Sequence, residues 1–222
     1  MKRIAFILLI LFSVTACETY TASRYHVPAK HTYYLQNLNK NVNFSVGNFD
    51  QTDKVSVNRA CRLAGPVKVT GDQTFADYLK DALIEEFATA DIYSESSKKQ
   101  LSGKIINASF SSVTPAYWVF NTDFSIDGSK DVINVNTNYS FGTSFSAIGA
   151  CRNVAEAFPH AVEQHINDLF KNEAFKKAMM KKLKLSYIIL ITDLIQNNRL
   201  YKRRFYSTFV AIHNICILDP KY

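Results

Sequence analysis

Glycine is scarce in this chain, seven in 222 residues, and those seven are scattered. None are arranged as a phosphate-cradling loop, and Gly142-Thr143-Ser144-Phe145-Ser146 lacks the second glycine of a Gly-x-Ser-x-Gly nucleophile elbow. The four cysteines, at positions 17, 61, 151 and 216, never form Cys-x-x-Cys, so neither a zinc ribbon nor a thioredoxin-type redox pair is supported. Five histidines occur, at 26, 31, 160, 165 and 213. His160 and His165 are five apart and face different directions on a helix, whereas zinc-binding pairs prefer i, i+4. No carboxylate completes a ligand set, so neither a metal site nor a cofactor is expected. No apolar run reaches the roughly 20 residues that a membrane-spanning helix needs. Asp81, Glu85 and Glu86 follow one another along a predicted helix and read as a solvated face rather than as paired acid/base carboxylates. Asp123 and Asp127 read as polar strand-face and turn residues. The single tryptophan, Trp118, falls on an apolar strand face and is expected in the core. With no catalytic constellation, a non-enzymatic protein is expected.

What is present begins at the N-terminus. Met1-Lys2-Arg3 is followed by an apolar run from Ile4 to Val14 and then by Thr15-Ala16-Cys17. A short basic start and a short apolar stretch form a signal peptide, residues 1–16, rather than a permanent anchor. Val14-Thr15-Ala16-Cys17 resembles the lipobox of bacterial lipoproteins. That resemblance implies that Cys17 is acylated (palmitate among the chains), the leader removed and the new amino terminus acylated, and several chains anchor stably where one does not. In enteric bacteria an aspartate after the cysteine retains lipoproteins at the inner membrane. Glu18 stands there instead, which favours the outer membrane, facing the periplasm.

The basic excess is local. The chain carries 26 Lys+Arg against 19 Asp+Glu, yet residues 17–180 have a net charge of −1 and residues 181–222 a net charge of +6. The folded part is thus nearly neutral and gives no argument for a nucleic-acid partner. In an oxidising periplasm Cys61 and Cys151, both in polar settings beside arginines, are expected to form a disulfide, with a stabilisation of about 2–4 kcal/mol. Two unrelated buried thiols are the alternative.

Residues 17–40 are rich in Thr, Tyr, His, Lys and Asn and read as a lipidated N-terminus and tether, although some of Tyr25, Tyr33 and Tyr34 are expected to pack onto the domain. Residues 41–180 read as one domain. Val42 to Phe49 alternates as a half-buried strand, and Val67-Lys68-Val69 is a short second one. Asp72 or Thr74 is placed to cap a helix whose Phe75, Leu79, Ala82, Leu83 and Phe87 share a face. Leu101 to Ser111 is strand-like, with Gly103 permitting a bulge or a close backbone approach. Trp118, Phe120, Thr122, Phe124 and Ile126, then Ile133, Val135, Thr137, Tyr139 and Phe141, form a hairpin across Asp127-Gly128-Ser129-Lys130. Val154, Phe158, Ala161, Val162, Ile166, Leu169 and Phe170 trace the stripe of a last helix, which Pro159 would kink anywhere beyond its first turn. The order β-α-β-β-β-α predicts an α+β fold: a single two-layer domain, mainly antiparallel, with helices on one face of the sheet.

Residues 181–222 differ in kind, with Ile188-Ile189-Leu190-Ile191 in a basic setting, Lys202-Arg203-Arg204 beyond it and a lone Cys216. Three readings stand: a basic amphipathic helix on an anionic membrane, a continuation of the last helix, or a frameshifted or read-through extension.

The lipobox, the strand Val42 to Phe49, the helix Thr74 to Phe87, the strand Leu101 to Ser111, the Trp118 strand and Ala155-Glu156-Ala157-Phe158-Pro159-His160-Ala161-Val162 together resemble the YajG-type small lipoproteins. In outline they are also similar to auxiliary lipoproteins of envelope ABC transporters. The resemblance implies a compact α+β periplasmic domain serving envelope assembly or maintenance. The expected function is therefore that of a lipid-anchored, non-enzymatic binding or scaffold protein with an envelope protein partner. The alternative is an auxiliary lipoprotein of a transport system that carries a lipid or other apolar ligand.

Overall fold

The computed structural model describes residues 19–38, 42–53, 55, 59–127 and 132–180. The predicted signal peptide, Cys17, the hairpin-turn residues Gly128, Ser129 and Lys130, and the segment 181–222 lie outside the described residues. The fold is α+β, with two open sheets and helices packed against them.

In chain order the elements are β1 (Tyr20–Thr21), α1 (Ala29–Leu38), β2 (Ser45–Gln51), β3 (Arg59–Cys61), β4 (Gly65–Lys68), α2 (Phe75–Thr89), β5 (Gln100–Ser111), β6 (Ala116–Ile126), β7 (Ile133–Phe141) and α3 (Ala147–Lys171). Residues 173–180 are again helical. The larger sheet has the order β2-β5-β6-β7. Its last three strands are antiparallel, and Phe124 opposite Ile133 places the β6–β7 hairpin where the alternation predicts it. The first strand pairs parallel to β5. A parallel pair needs a long crossover, and α2 lies within it. The expected second strand forms at Gly65–Lys68 but joins a separate sheet, β1-β4-β3.

Binary patterning accounts for the two layers. Trp118, Phe120, Thr122, Phe124 and Ile126 are all buried, while Tyr117, Val119, Asn121 and Asp123 between them are half-buried on the other face. On β7 Asn134, Asn136, Asn138 and Ser140 are exposed, so one face of the sheet is polar and open. Helix α2 covers β2 and β5, and α3 covers β6 and β7. Thr74 is the α2 cap: its hydroxyl accepts from the Asp77 amide while the Asp77 carboxylate takes the Thr74 amide, a capping box. Ser146 caps α3 by accepting from the Gly149 amide. Pro159 sits well inside α3, which nevertheless runs from Ala147 to Lys171. The Ala155 carbonyl there has no amide donor at i+4.

The layers meet around Trp118. Its ring stacks on Phe120 at 5.6 Å and meets Phe75 and Phe158 edge-on, and its indole nitrogen donates to the Val154 carbonyl at 2.9 Å. Gly103 is needed at a close approach rather than for its backbone freedom. A Cβ there would lie 2.5 Å from the ring of Phe49, which itself packs edge-on against Phe124. The β2–β5 register shifts at this point.

The N-terminal segment departs from the expectation of a tether. From Tyr20 to Leu38 it forms β1 and α1, with Tyr20, Ala22, Tyr25, His31 and Leu35 buried. His31, Leu35 and Leu38 recur at i, i+4 and i+7, a stripe that buries once Pro28 has started the turn; the Pro28 carbonyl accepts from the His31 amide at 2.9 Å. Residues 20–38 therefore belong to the domain.

Candidate functional site

Helix α2 carries one polar side chain on its buried stripe. Leu79, Ala82, Leu83 and Phe87 point into the core as expected, and Glu86, i+4 from Ala82 and i+7 from Leu79, points with them at 0% exposure. The expectation that Glu86 shares a solvated face with Asp81 and Glu85 is thus corrected. Only its two neighbours lie outward, because the helical period carries residue 86 inward.

A carboxyl group removed from water needs partners. Glu86 finds both in the N-terminal segment. The Tyr25 hydroxyl donates to Glu86 Oε1, and His31 Nδ1 lies 2.7 Å from the same oxygen. Burial, and then the adjacent Glu86, hold the Tyr25 hydroxyl far above its usual range, so it remains a donor. The second carboxyl oxygen and His31 Nε2 are buried with no hydrogen-bond partner among the described residues. Each such atom costs about 1–3 kcal/mol, so the cluster specifies position more than it maximises stability. His31 is further held edge-on against Phe170 at 5.4 Å, and the Tyr34 hydroxyl donates to the Phe170 carbonyl at 2.9 Å. Helix α1 is in this way fastened to both α2 and α3.

Tyr, His and Glu side chains in contact could serve proton transfer, but here all three are buried. Tyr25 also lines an open cleft of about 520 Å³, together with Arg24, Thr70, Gln73, Asp81 and Glu85 among others. Its charged and amide side chains are already paired: Arg24 with Glu85, and Gln73 donating to Asp81 at 2.7 Å. Among the described residues no three His, Cys, Asp or Glu side chains are grouped to hold a metal ion, and no helix is long and apolar enough to cross a membrane.

A second buried histidine is self-contained. The Thr137 hydroxyl donates to Asp168 at 2.6 Å, which leaves its oxygen to accept from His165 Nδ1–H at 2.9 Å. His165 Nε2 then accepts from the Thr122 hydroxyl at 2.9 Å. The ring is neutral with both nitrogens satisfied, and burial pushes its pKa down to about 3. His160, by contrast, is exposed on the same helix.

Cys61 and Cys151 are joined in a disulfide, tying the β3–β4 turn to the first turns of α3. Arg62 and Leu63, the central residues of that turn, have φ of 47° and 57°, and the Ala64 amide closes it on the Cys61 carbonyl. Such a turn favours Asn-Gly; a branched residue there is strained. Arg62 has a reason to be present. Its guanidinium donates to the carbonyls of Ser112 and Ser144 and to the Thr143 hydroxyl, bracing three loops. Cys17 lies outside the described residues.

No family model matches the sequence, and no curated protein matches it. Among solved structures the chain is similar to protein XCC0632 of Xanthomonas campestris, described as DUF330. The identity is 11% with a TM-score of 0.42, over 77% of this chain and 99% of that one. An uncharacterized protein is similar at 9% identity and a TM-score of 0.39, over 68% of this chain and 96% of the other. Likeness at this level says nothing of activity or partners.

Two outcomes follow from the buried groups. Tyr25→Phe removes one donor from a buried carboxyl group and should lower the unfolding free energy by about 1.5–3 kcal/mol in urea titrations. A loss below about 0.5 kcal/mol would show that the cluster does not hold the segment. For His165, the unfolded side chain takes up a proton near 6.5 while the folded one refuses it until about 3. The unfolded state thus binds more protons across that window, and stability falls as pH drops through it. His165→Gln should remove this dependence, so that between pH 6 and 4 the wild type loses roughly 1.4 kcal/mol per pH unit more than the variant. A difference that does not change with pH would contradict the neutral buried ring.

Proposed function

We propose that the chain is a lipid-anchored, non-enzymatic binding or scaffold protein of the bacterial cell envelope, attached through an acylated Cys17 and facing the periplasm. One observation carries this reading: the apolar run Ile4 to Val14 ends in Val14-Thr15-Ala16-Cys17, and the folded domain starts only three residues later, at Tyr20. The Cys61–Cys151 bridge supports an oxidising compartment. Glu18 after the anchor cysteine favours the outer membrane.

The binding surface in this reading is the sheet face that the helices leave open. There Asn134, Asn136 and Asn138 on the edge strand β7 are exposed beside Asn121 and Asp123, and Asn134 donates to both of those neighbours, at 3.0 and 2.6 Å. A ladder of short amides on an open sheet face suits a polar protein partner. Carriage of an apolar ligand needs a groove between sheet and helices, where Trp118, Phe87, Phe124, Phe158 and Phe170 are closely packed instead.

Metabolic labelling with an alkyne fatty acid in a Gram-negative host tests the anchor. The full chain should take up label and partition with membranes, and Cys17→Ala should lose both. A wild-type protein that matures without label would overturn the reading.

A further inference from the structure

Leu63 and Phe145 stand wholly in solvent, at 99% and 108% exposure, and Val113 and Ile148 are 58% and 52% exposed. The four share one end of the molecule. Arg62, which precedes Leu63, bonds the carbonyls of Ser112 and Ser144, the residues before Val113 and Phe145. Ile148 lies in the first turn of α3, to which the same β3–β4 turn is bridged through Cys151. Leu63 also occupies a positive-φ position, so its place at the tip is costly both in exposure and in backbone strain. The segments that present these side chains, residues 62–64, 112–114 and 142–149, contain no Asp or Glu, and Arg152 is exposed just beyond. An apolar rim free of carboxylates and flanked by a cation is suited to a lipid surface.

The path of the chain says which surface it meets. Strand β1 runs parallel to β4 with Tyr20 opposite Val67, so the side from which the chain enters β1 is the Gly65 side of β4, where the Arg62-Leu63 turn lies. Cys17 precedes Tyr20 by three residues, a reach of roughly 10 Å when extended. We propose that Leu63, Val113, Phe145 and Ile148 form a braced apolar rim that seats in the interface of the lipid bilayer holding the Cys17 anchor. This rests on the acylation of Cys17 proposed above. With so short a reach, an anchored domain meets the membrane by this end, and the polar face of the larger sheet stays free for a partner.

The test uses the full chain purified from membranes, its lipidation read by intact mass, in vesicles of phosphatidylethanolamine, phosphatidylglycerol and brominated phosphatidylcholine. Single Leu63→Trp and Phe145→Trp variants are compared with Val132→Trp, an exposed position (65%) at the opposite end of the β6–β7 hairpin. Trp118, fully buried, gives a common background. In the lipidated protein the first two should be blue-shifted and quenched by the brominated lipid at least two-fold more than the third. Equal or no quenching in a lipidated protein overturns the rim proposal and leaves the anchor standing. A mass without acyl chains overturns the anchor and the proposal with it. A blue shift that grows with protein concentration in the absence of vesicles assigns the rim to a second copy of this chain and overturns lipid docking.

Discussion

Glu86 places a carboxyl group with no exposed surface on the buried stripe of α2. Leaving it unpaired would cost several kcal/mol, and its buried neighbours on α2, Leu79, Ala82, Leu83 and Phe87, offer it no polar side-chain group. The partners come from residues 25 and 31, 61 and 55 positions earlier in the chain. The N-terminal segment must therefore fold back over α2, and the rest of that segment follows from this need. Once His31 is drawn in, the Tyr34 hydroxyl reaches the Phe170 carbonyl of α3, and Tyr20, Thr21 and Ala22 align with β4. The small sheet owes one of its three strands to the same constraint.

In the reading proposed above, fastening the segment changes what a lipid anchor at Cys17 would do. A tether of some twenty polar residues would lift a domain from the bilayer and leave it free to turn. A chain held from Tyr20 onward would keep an anchored domain within a few residues of Cys17 and limit which end could face the lipid. The disulfide and the Arg62 brace then matter for a second reason. They cross-link the turn and loops that carry Leu63 and Phe145, whose side chains project into solvent.

Much of this was legible in the sequence, where local periodicity decided the outcome. The β6–β7 hairpin, the stripes of α2 and α3, the core position of Trp118 and the close approach at Gly103 all follow from spacing 2 or 3.6 and from side-chain size. The bridge between Cys61 and Cys151 was legible from the compartment that the leader implies. What was not legible depended on contacts distant in sequence. Composition made residues 17–40 look like a tether, although His31, Leu35 and Leu38 already carried a helical stripe. Glu86 looked solvated beside Glu85, although its distance from Leu79 and Ala82 put it on the apolar face. In both cases the polar residue type outweighed its position, because the partner that makes burial tolerable lies more than 50 residues away. The parallel pairing of β2 with β5 was hidden for the same reason, since only the crossover through α2 brings them together.

Native-state hydrogen exchange tests the central claim, that Glu86 makes the N-terminal segment an integral part of the domain. If it does, the α1 amides from Tyr33 to Leu38 open only with the domain as a whole, and they exchange in the same slow class as those of α2 from Leu79 to Phe87. Fast exchange of α1 while α2 remains protected would show a segment merely resting on the surface, and would contradict the claim.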